Sequence, residues 1–153
     1  MVKRIFDITL SIVACILALP LLVVLALIII ITMPGPVFYF QTRTGFHGKQ
    51  FTIFKLRTMI VNTDSIVITI DSDKRITPFG RILRATKFDE LPQLWNILKG
   101  DMSFVGPRPD VPGYYDELKG DDRLVLEVKP GLTGADSIAY TYRKLFCSVR
   151  QTP

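Results

Sequence analysis

One stretch of the chain is patterned unlike the rest. Residues 8–31 carry no charged side chain and are mostly isoleucine, leucine and valine. About 20 apolar residues suffice for a helix to cross a bilayer, so this run reads as a membrane element. It exceeds the apolar core of a signal peptide, which is about 7–15 residues, and no small-residue cleavage site follows it. Pro20 sits near its middle, where a proline removes one backbone hydrogen bond and kinks or breaks the helix. Basic residues flank both ends: Lys3 and Arg4 before, Arg43 and Lys49 after. Positive flanks tend to stay cytoplasmic. Two arrangements follow, a spanning helix kinked at Pro20 or a re-entrant hairpin that enters and leaves one leaflet. Residue physics alone favours the first, because prolines are common in spanning helices. Met33-Pro34-Gly35-Pro36 cannot continue a helix and marks the membrane exit.

Beyond that exit the periodicity changes. Residues 37–41 and 50–58 read as two strands around a turn at 44–49, a plausible hairpin. His47, the single histidine, lies in that turn and is given no role. The β-branched residues 66–70 read as a third short strand or an extended loop. Thr77-Pro78 has the form of a helix start, a capping hydroxyl followed by proline in the first turn. A further helix is predicted with Leu91, Leu94, Trp95 and Leu98 on one face and Gly100 as its stop. Pro92 then belongs to its first turn, and Asp89-Glu90 lie at its N-terminus. Residues 101–113 and 129–134 read as turn-rich loops, and 110–126 as polar with helical character.

At 153 residues the chain has room for one modest domain behind the membrane element. The net charge of +5 is unevenly placed. Arg43, Lys49, Lys55 and Arg57 form one basic block, and Lys74, Arg75, Arg81, Arg84 and Lys87 form another. Such blocks beside a membrane segment point to anionic headgroups or phosphate substrates, or to a plain solvated face. The aromatic residues fall at core-like spacing, which argues against a nucleic-acid-binding face. The two cysteines, Cys15 and Cys147, form no disulfide framework or zinc pattern.

Asp89-Glu90 is the point of chemical interest. An ionised aspartate can attack phosphorus, and carboxylates are hard ligands for a magnesium ion bridging a diphosphate. Arg84 and Lys87 are near enough in sequence to offset developing charge. The same pair also has the form of an ordinary first-turn cap. Arg108 stands between Pro107 and Pro109 in a stiff loop that suits an arginine aimed at phosphate, and Lys55 and Arg57 are candidates of the same kind.

The motifs taken together resemble the bacterial sugar transferase family, the monotopic polyprenyl-phosphate phosphoglycosyl transferases. Lys3-Arg4-Ile5-Phe6-Asp7 precedes the apolar segment, and Phe54-Lys55-Leu56-Arg57-Thr58-Met59 follows it. Thr77-Pro78-Phe79-Gly80-Arg81-Ile82-Leu83-Arg84 leads into Asp89-Glu90-Leu91-Pro92-Gln93-Leu94-Trp95-Asn96. Gly106-Pro107-Arg108-Pro109 and Lys129-Pro130-Gly131-Leu132-Thr133-Gly134 complete the match, which runs from about residue 3 to 138. The run from 89 to 109 is the most specific part.

The resemblance implies an α+β fold: a re-entrant membrane helix hairpin over residues 1–36, then a small, mostly helical catalytic domain with a short β-hairpin over 37–138. It implies that Asp89 is the nucleophile toward a UDP-sugar, that Glu90 assists with the proton of the lipid phosphate, and that Mg2+ sits at Asp89 and the diphosphate. Arg84, Arg108, Lys55 and Arg57 become the phosphate-binding candidates. The partners implied are a UDP-sugar, polyprenyl (undecaprenyl) phosphate and membrane lipids at the cytoplasmic face of the bacterial inner membrane, with no nucleic acid and a homodimer as an option. The product would begin a capsule, O-antigen or glycoprotein glycan. Family members usually continue for about fifty residues beyond the glycine loop, and residues 139–153 depart from their pattern. The chain therefore reads as truncated or frame-shifted at its C-terminus, and reduced activity, or none, is expected. The rival reading is a membrane-bound remnant that acts by lipid or partner binding alone.

Overall fold

The computed structural model describes residues 2–60, 75–113 and 120–134. The expected strand at 66–70 and the atypical tail at 139–153 lie outside the described residues.

Helix α1, Val2–Thr32, is a single continuous element with Pro20 inside it. Two arms bent at Pro20 are therefore not seen. A proline forfeits one hydrogen bond to the preceding turn, and the helix resumes on its far side. Asp7, Ser11, Ala18, Leu25 and Ile29 are its buried residues. Their spacings of four and seven place them on one stripe, as expected when one helical face packs along a neighbour. Most of the remaining surface of α1 is exposed aliphatic side chain, including Ile16, Leu17, Leu19 and Ile31.

Strands β1, Phe38–Thr44, and β2, Gln50–Leu56, form the antiparallel hairpin, with Thr44 opposite Gln50 and Phe38 opposite Leu56. Alternation places Tyr39, Gln41, Arg43, Ile53 and Lys55 on one side of it. Helix α2, Pro78–Thr86, begins as its sequence predicts: the Thr77 hydroxyl accepts from the Gly80 N–H at 2.9 Å. A side chain at Gly80 would overlap the Thr58 carbonyl, so glycine is what lets α2 lie against the end of β2.

A 3-10 helix, Phe88–Gln93, follows α2 and runs directly into α3, Leu94–Lys99. The expected helical face is corrected here. Leu94, Asn96 and Ile97 are buried, whereas Trp95 is 57% exposed. The 3-10 turn that holds Pro92 advances by about three residues per turn rather than 3.6, which shifts the phase of everything after it. Gly100 ends α3 in the left-handed conformation, as predicted.

The two segments read as loops contain a second sheet. Strands β3, Ser103–Val105, and β4, Gly131–Thr133, pair in parallel. At three residues each, neither shows the alternation by which strands are recognised. Gly106 and Gly131 are close enough that a side chain on either would overlap the other backbone. A 3-10 helix, Gly120–Glu127, covers the helical part of the polar 110–126 region that is described.

The core has two centres. Ala18 of α1 packs with Ile53, Leu94, Ile97 and Met102, and Leu25, Ile29 and Met33 pack with Leu56 and Leu83. Polar bonds fasten α1 to the domain at both ends. Near its start, Arg4 donates to the carbonyls of Ile97 (2.7 Å) and Leu98 (2.8 Å), satisfying the end of α3. The Lys3 ammonium donates to the Val105 carbonyl, and buried Asp7 accepts from the Ser103 hydroxyl at 2.9 Å. Beyond its end, the Arg57 guanidinium donates to the carbonyls of Met33 and Pro34.

Candidate active site

The local sequence explains how the acidic pair is presented. Lys87 closes α2 in the left-handed conformation (φ 61°), which turns the chain sharply into the 3-10 helix. Lys87 also occupies the cap position of that 3-10 helix and makes no side-chain cap bond. Asp89 and Glu90 fall in its first turn, so neither stands at the capping position. Asp89 is 8% exposed, and its Oδ1 has no hydrogen-bond partner among the described residues. A buried carboxylate oxygen without a donor is unfavourable in a purely structural role.

The electrostatics of the two carboxyls diverge. Burial is the largest influence on Asp89 and raises its pKa above the ordinary value; Glu90 adds to the rise, while Lys55, Lys87 and Arg84 oppose it. For Glu90, burial again pushes upward. Here the charge and hydrogen bond of Lys55, then Arg108 and Lys87, outweigh it and hold the carboxyl below its ordinary value. The Lys55 ammonium lies 3.0 Å from Glu90 Oε1, and Arg108 Nη2 lies 3.4 Å from the same oxygen. Two neighbouring carboxyls are thus pushed apart in acidity, which is how one site holds groups for different tasks.

Arg43, Lys55, Glu90, Gln93, Arg108 and Leu132 line a small open cleft. The hairpin supplies Arg43 and Lys55, the 3-10 helix supplies Glu90 and Gln93, and the loop after β3 supplies Arg108. An isolated antiparallel bridge between Thr44 and Asp110 ties the hairpin to that loop. The Asn96 side chain reinforces the hairpin from the other side, donating to the Thr52 carbonyl at 2.7 Å and accepting from the Phe54 N–H at 3.2 Å.

The predicted site residues therefore divide. Asp89, Glu90, Lys55 and Arg108 come together. Arg84 reaches Asp89 as a charge, while its Nε donates to the Thr58 hydroxyl at 2.9 Å. Arg57 is placed elsewhere: it is 4% exposed and turned onto the carbonyls that follow α1. Strand alternation alone would keep Arg57 on the side of Lys55; the ladder ends at Leu56, and past that end the Arg57 guanidinium turns onto the Met33 and Pro34 carbonyls. Sequence reasoning gave Gln93 no role and read Arg43 only as a membrane flank and a member of a basic block, not as a site residue. For Arg43 a signal was present, because the hairpin register puts it on the same side as Lys55. Among the described residues, no group of three or more histidine, cysteine or carboxylate side chains converges as a metal cluster.

The bacterial sugar transferase family profile matches residues 1–151. The chain is 43% identical over 137 residues to a UDP-glucose:undecaprenyl-phosphate glucose-1-phosphate transferase of Caulobacter vibrioides, covering 86% of this chain and 51% of that protein. It is 40% identical over 149 residues to an undecaprenyl-phosphate galactose phosphotransferase of Salmonella typhimurium, covering 86% of this chain and 31% of the relative. It is 35% identical over 146 residues to a UDP-N-acetylgalactosamine-undecaprenyl-phosphate N-acetylgalactosaminephosphotransferase of Aeromonas hydrophila, covering 92% and 34%. The chain thus spans about half, or less, of the length of these relatives, and they act on three different sugars.

Proposed function

This chain belongs to the bacterial sugar transferase family, and from that membership we propose that it transfers a sugar-1-phosphate from a UDP-sugar to undecaprenyl phosphate through a phospho-aspartate at Asp89. The observation that carries the reading is the buried Asp89 Oδ1, which lacks a hydrogen-bond donor and stands beside the charge of Lys55. A carboxylate held from solvent without a donor is a stronger nucleophile than a capped one. In the first half-reaction an Asp89 oxygen bonds to the sugar-bearing phosphorus as the bond to the bridging oxygen breaks, and UMP leaves with that oxygen. In the second, an oxygen of the lipid phosphate bonds to the same phosphorus and the Asp89 carboxylate departs. The product is a polyprenyl diphosphate sugar.

Glu90 is held ionised by Lys55 and Arg108, so it can take the remaining proton of the lipid phosphate as that group attacks. Lys55 and Arg108 face the negative charge of the diphosphate. The donor set also suits magnesium, which is typically held by one or two carboxylates together with substrate phosphates. Asp89 would hold the ion through its unpartnered oxygen, and the ion would offset diphosphate charge.

The reading includes a seat in one leaflet at the cytoplasmic face. A 31-residue helix is about 46 Å long. One polar domain binds it at Arg4 and Asp7 and again just past its end at Met33 and Pro34. A spanning orientation would draw that domain, with its charged cleft, into hydrocarbon at great cost. Insertion from one side avoids this, and it agrees with basic residues on both flanks.

The test is intact-mass analysis of the membrane-reconstituted chain after incubation with UDP-sugar and magnesium. The expected result is a phospho-sugar adduct that is discharged by undecaprenyl phosphate and absent in Asp89→Asn. Lipid-linked product formed by Asp89→Asn at the unsubstituted rate would refute the covalent route.

A further inference from the structure

We propose that Arg43 binds the departing phosphate, the one that leaves as UMP, and so acts in the first half-reaction but not in the second. The proposal rests on the phospho-aspartate reading above and assigns a direction along the cleft.

Three observations carry it. First, the charges form an ordered series. Lys55 is the strongest cation acting on Asp89, and Glu90 Oε1 is held between Lys55 and Arg108. Arg43 in turn feels Asp110 and Arg108 most strongly, with Glu90 a weaker influence. The hairpin register supplies the geometry: Lys55 faces Tyr39, and Arg43 lies four residues farther along the same strand, opposite Phe51, so Arg43 stands at the end of the cleft away from Lys55. The phosphorus attacked by Asp89 belongs at the Lys55 end, which leaves the second phosphate of a diphosphate toward Arg108 and Arg43.

Second, Arg43 is aimed but not saturated. Its Nη2 donates to Gln41 Oε1 at 2.7 Å, and its Nη1 lies 3.5 Å from the Pro109 carbonyl and 3.7 Å from Asp110 Oδ1. The Nε is buried and has no acceptor among the described residues. A guanidinium offers a planar fork of donors that matches phosphate oxygens. One already oriented by Gln41 and Asp110 has less freedom to lose when an anion arrives.

Third, the fold holds Arg43 and Arg108 together. The Thr44 N–H donates to the Asp110 carbonyl at 2.9 Å, so the residue after Arg43 is paired with the segment that carries Arg108. Two like charges are brought to one wall, Arg43 with Asp110 at 3.7 Å and Arg108 with Glu90 at 3.4 Å. A dianionic phosphate seated at this wall can accept from both guanidinium groups at once.

In a two-step exchange reaction, kcat/KM for each substrate reports its own half-reaction. Exchange of labelled UMP into UDP-sugar without lipid isolates the first. Arg43→Gln is expected to slow that exchange, to lower kcat/KM for UDP-sugar and to weaken UMP binding, each by about tenfold or more, the scale of a lost charged hydrogen bond. The kcat/KM for undecaprenyl phosphate is expected to stay within about twofold, and Arg43→Lys to recover part of the loss. The unchanged second half-reaction also reports that the variant is folded. Equal loss in both half-reactions, or unaltered UMP exchange in Arg43→Gln, overturns the assignment. Absence of UMP exchange in the unsubstituted protein overturns the phospho-aspartate reading itself, and this inference with it.

Discussion

The seam between α1 and the domain and the cleft beside Asp89 handle polar groups in opposite ways. Along the seam, buried polarity is matched. Asp7 accepts from Ser103, Arg4 satisfies two helix-end carbonyls, and Arg57 satisfies two more, with only its Nε left over. At the site, Arg43 Nε on the cleft wall and Asp89 Oδ1, next in sequence to the cleft residue Glu90, are buried without partners among the described residues, and cations stand on both sides of Glu90. Satisfied groups hold a structure, whereas unsatisfied ones are tolerated where a ligand supplies what is missing. The contrast separates residues that fasten the membrane element from residues assigned to substrate, although Lys55 and Arg57, one from each set, are both basic and two positions apart.

The sharpest way to break that contrast is to substitute two cations two residues apart. Lys55→Met is expected to reduce sugar-phosphate transfer by about a hundredfold or more, the scale of losing a positioned charge at a phosphoryl site, and to cost less stability than Arg57→Met because Arg108 still faces Glu90. Arg57→Met is expected to lower stability by about 2–4 kcal/mol, because it strips the donors from two carbonyls, while UMP binding by the folded fraction persists. Thermal unfolding in lipid nanodiscs, together with transfer rates, measures both. Reversed outcomes would mean that Arg57 meets substrate after all.

A smaller effect is expected at the other end of the seam. Asp7→Ala leaves the Ser103 hydroxyl buried without its acceptor and should cost about 1–3 kcal/mol. Restoring a matched apolar pair with Ser103→Ala should make the double variant less unstable than the sum of the two changes. Additive losses in the same unfolding assay would mean that the two side chains do not act as a pair.

The smallest effect lies in pH dependence. Asp89 has a raised folded-state pKa, so its stabilising contribution belongs to the protonated form and is lost as pH rises from the ordinary aspartate value through the raised one. Glu90 is depressed, so its contribution is present above its ordinary value and lost as pH falls through the lowered one. The nucleophile must be ionised. Adduct formation should therefore rise along an acid limb displaced above ordinary aspartate. Lys87→Gln removes a charge that opposes the displacement and should move the limb slightly higher. In the magnesium-free protein, direct titration of Asp89 at or below the ordinary value would contradict its burial.

Much of this was legible in the sequence because it is local. Thr77-Pro78, Gly100 and the strands around the 44–49 turn carry their conformations in neighbouring residue types. The acidic pair was legible through its motif. The direction of Arg57 was not, because nothing local says where a hairpin ladder stops. Trp95 was assigned to the wrong face because the 3-10 turn before it alters the helical phase. The β3–β4 pairing joins residues 28 apart through three-residue strands, a long-range contact that no short pattern reports. Continuity of α1 through Pro20 depends likewise on tertiary packing along its whole stripe.

That parallel pair bears on how the loop cation reaches its target. The Gly106 and Gly131 backbones meet without side chains between them, and the Gly131 N–H holds the Pro107 carbonyl immediately before Arg108. The arm that carries the guanidinium therefore starts from a fixed pivot, and little conformational freedom is left to be frozen when a diphosphate enters. An alanine at either glycine would loosen that pivot, and the deficit would register as an unfavourable entropy of nucleotide binding with the charges themselves left in place.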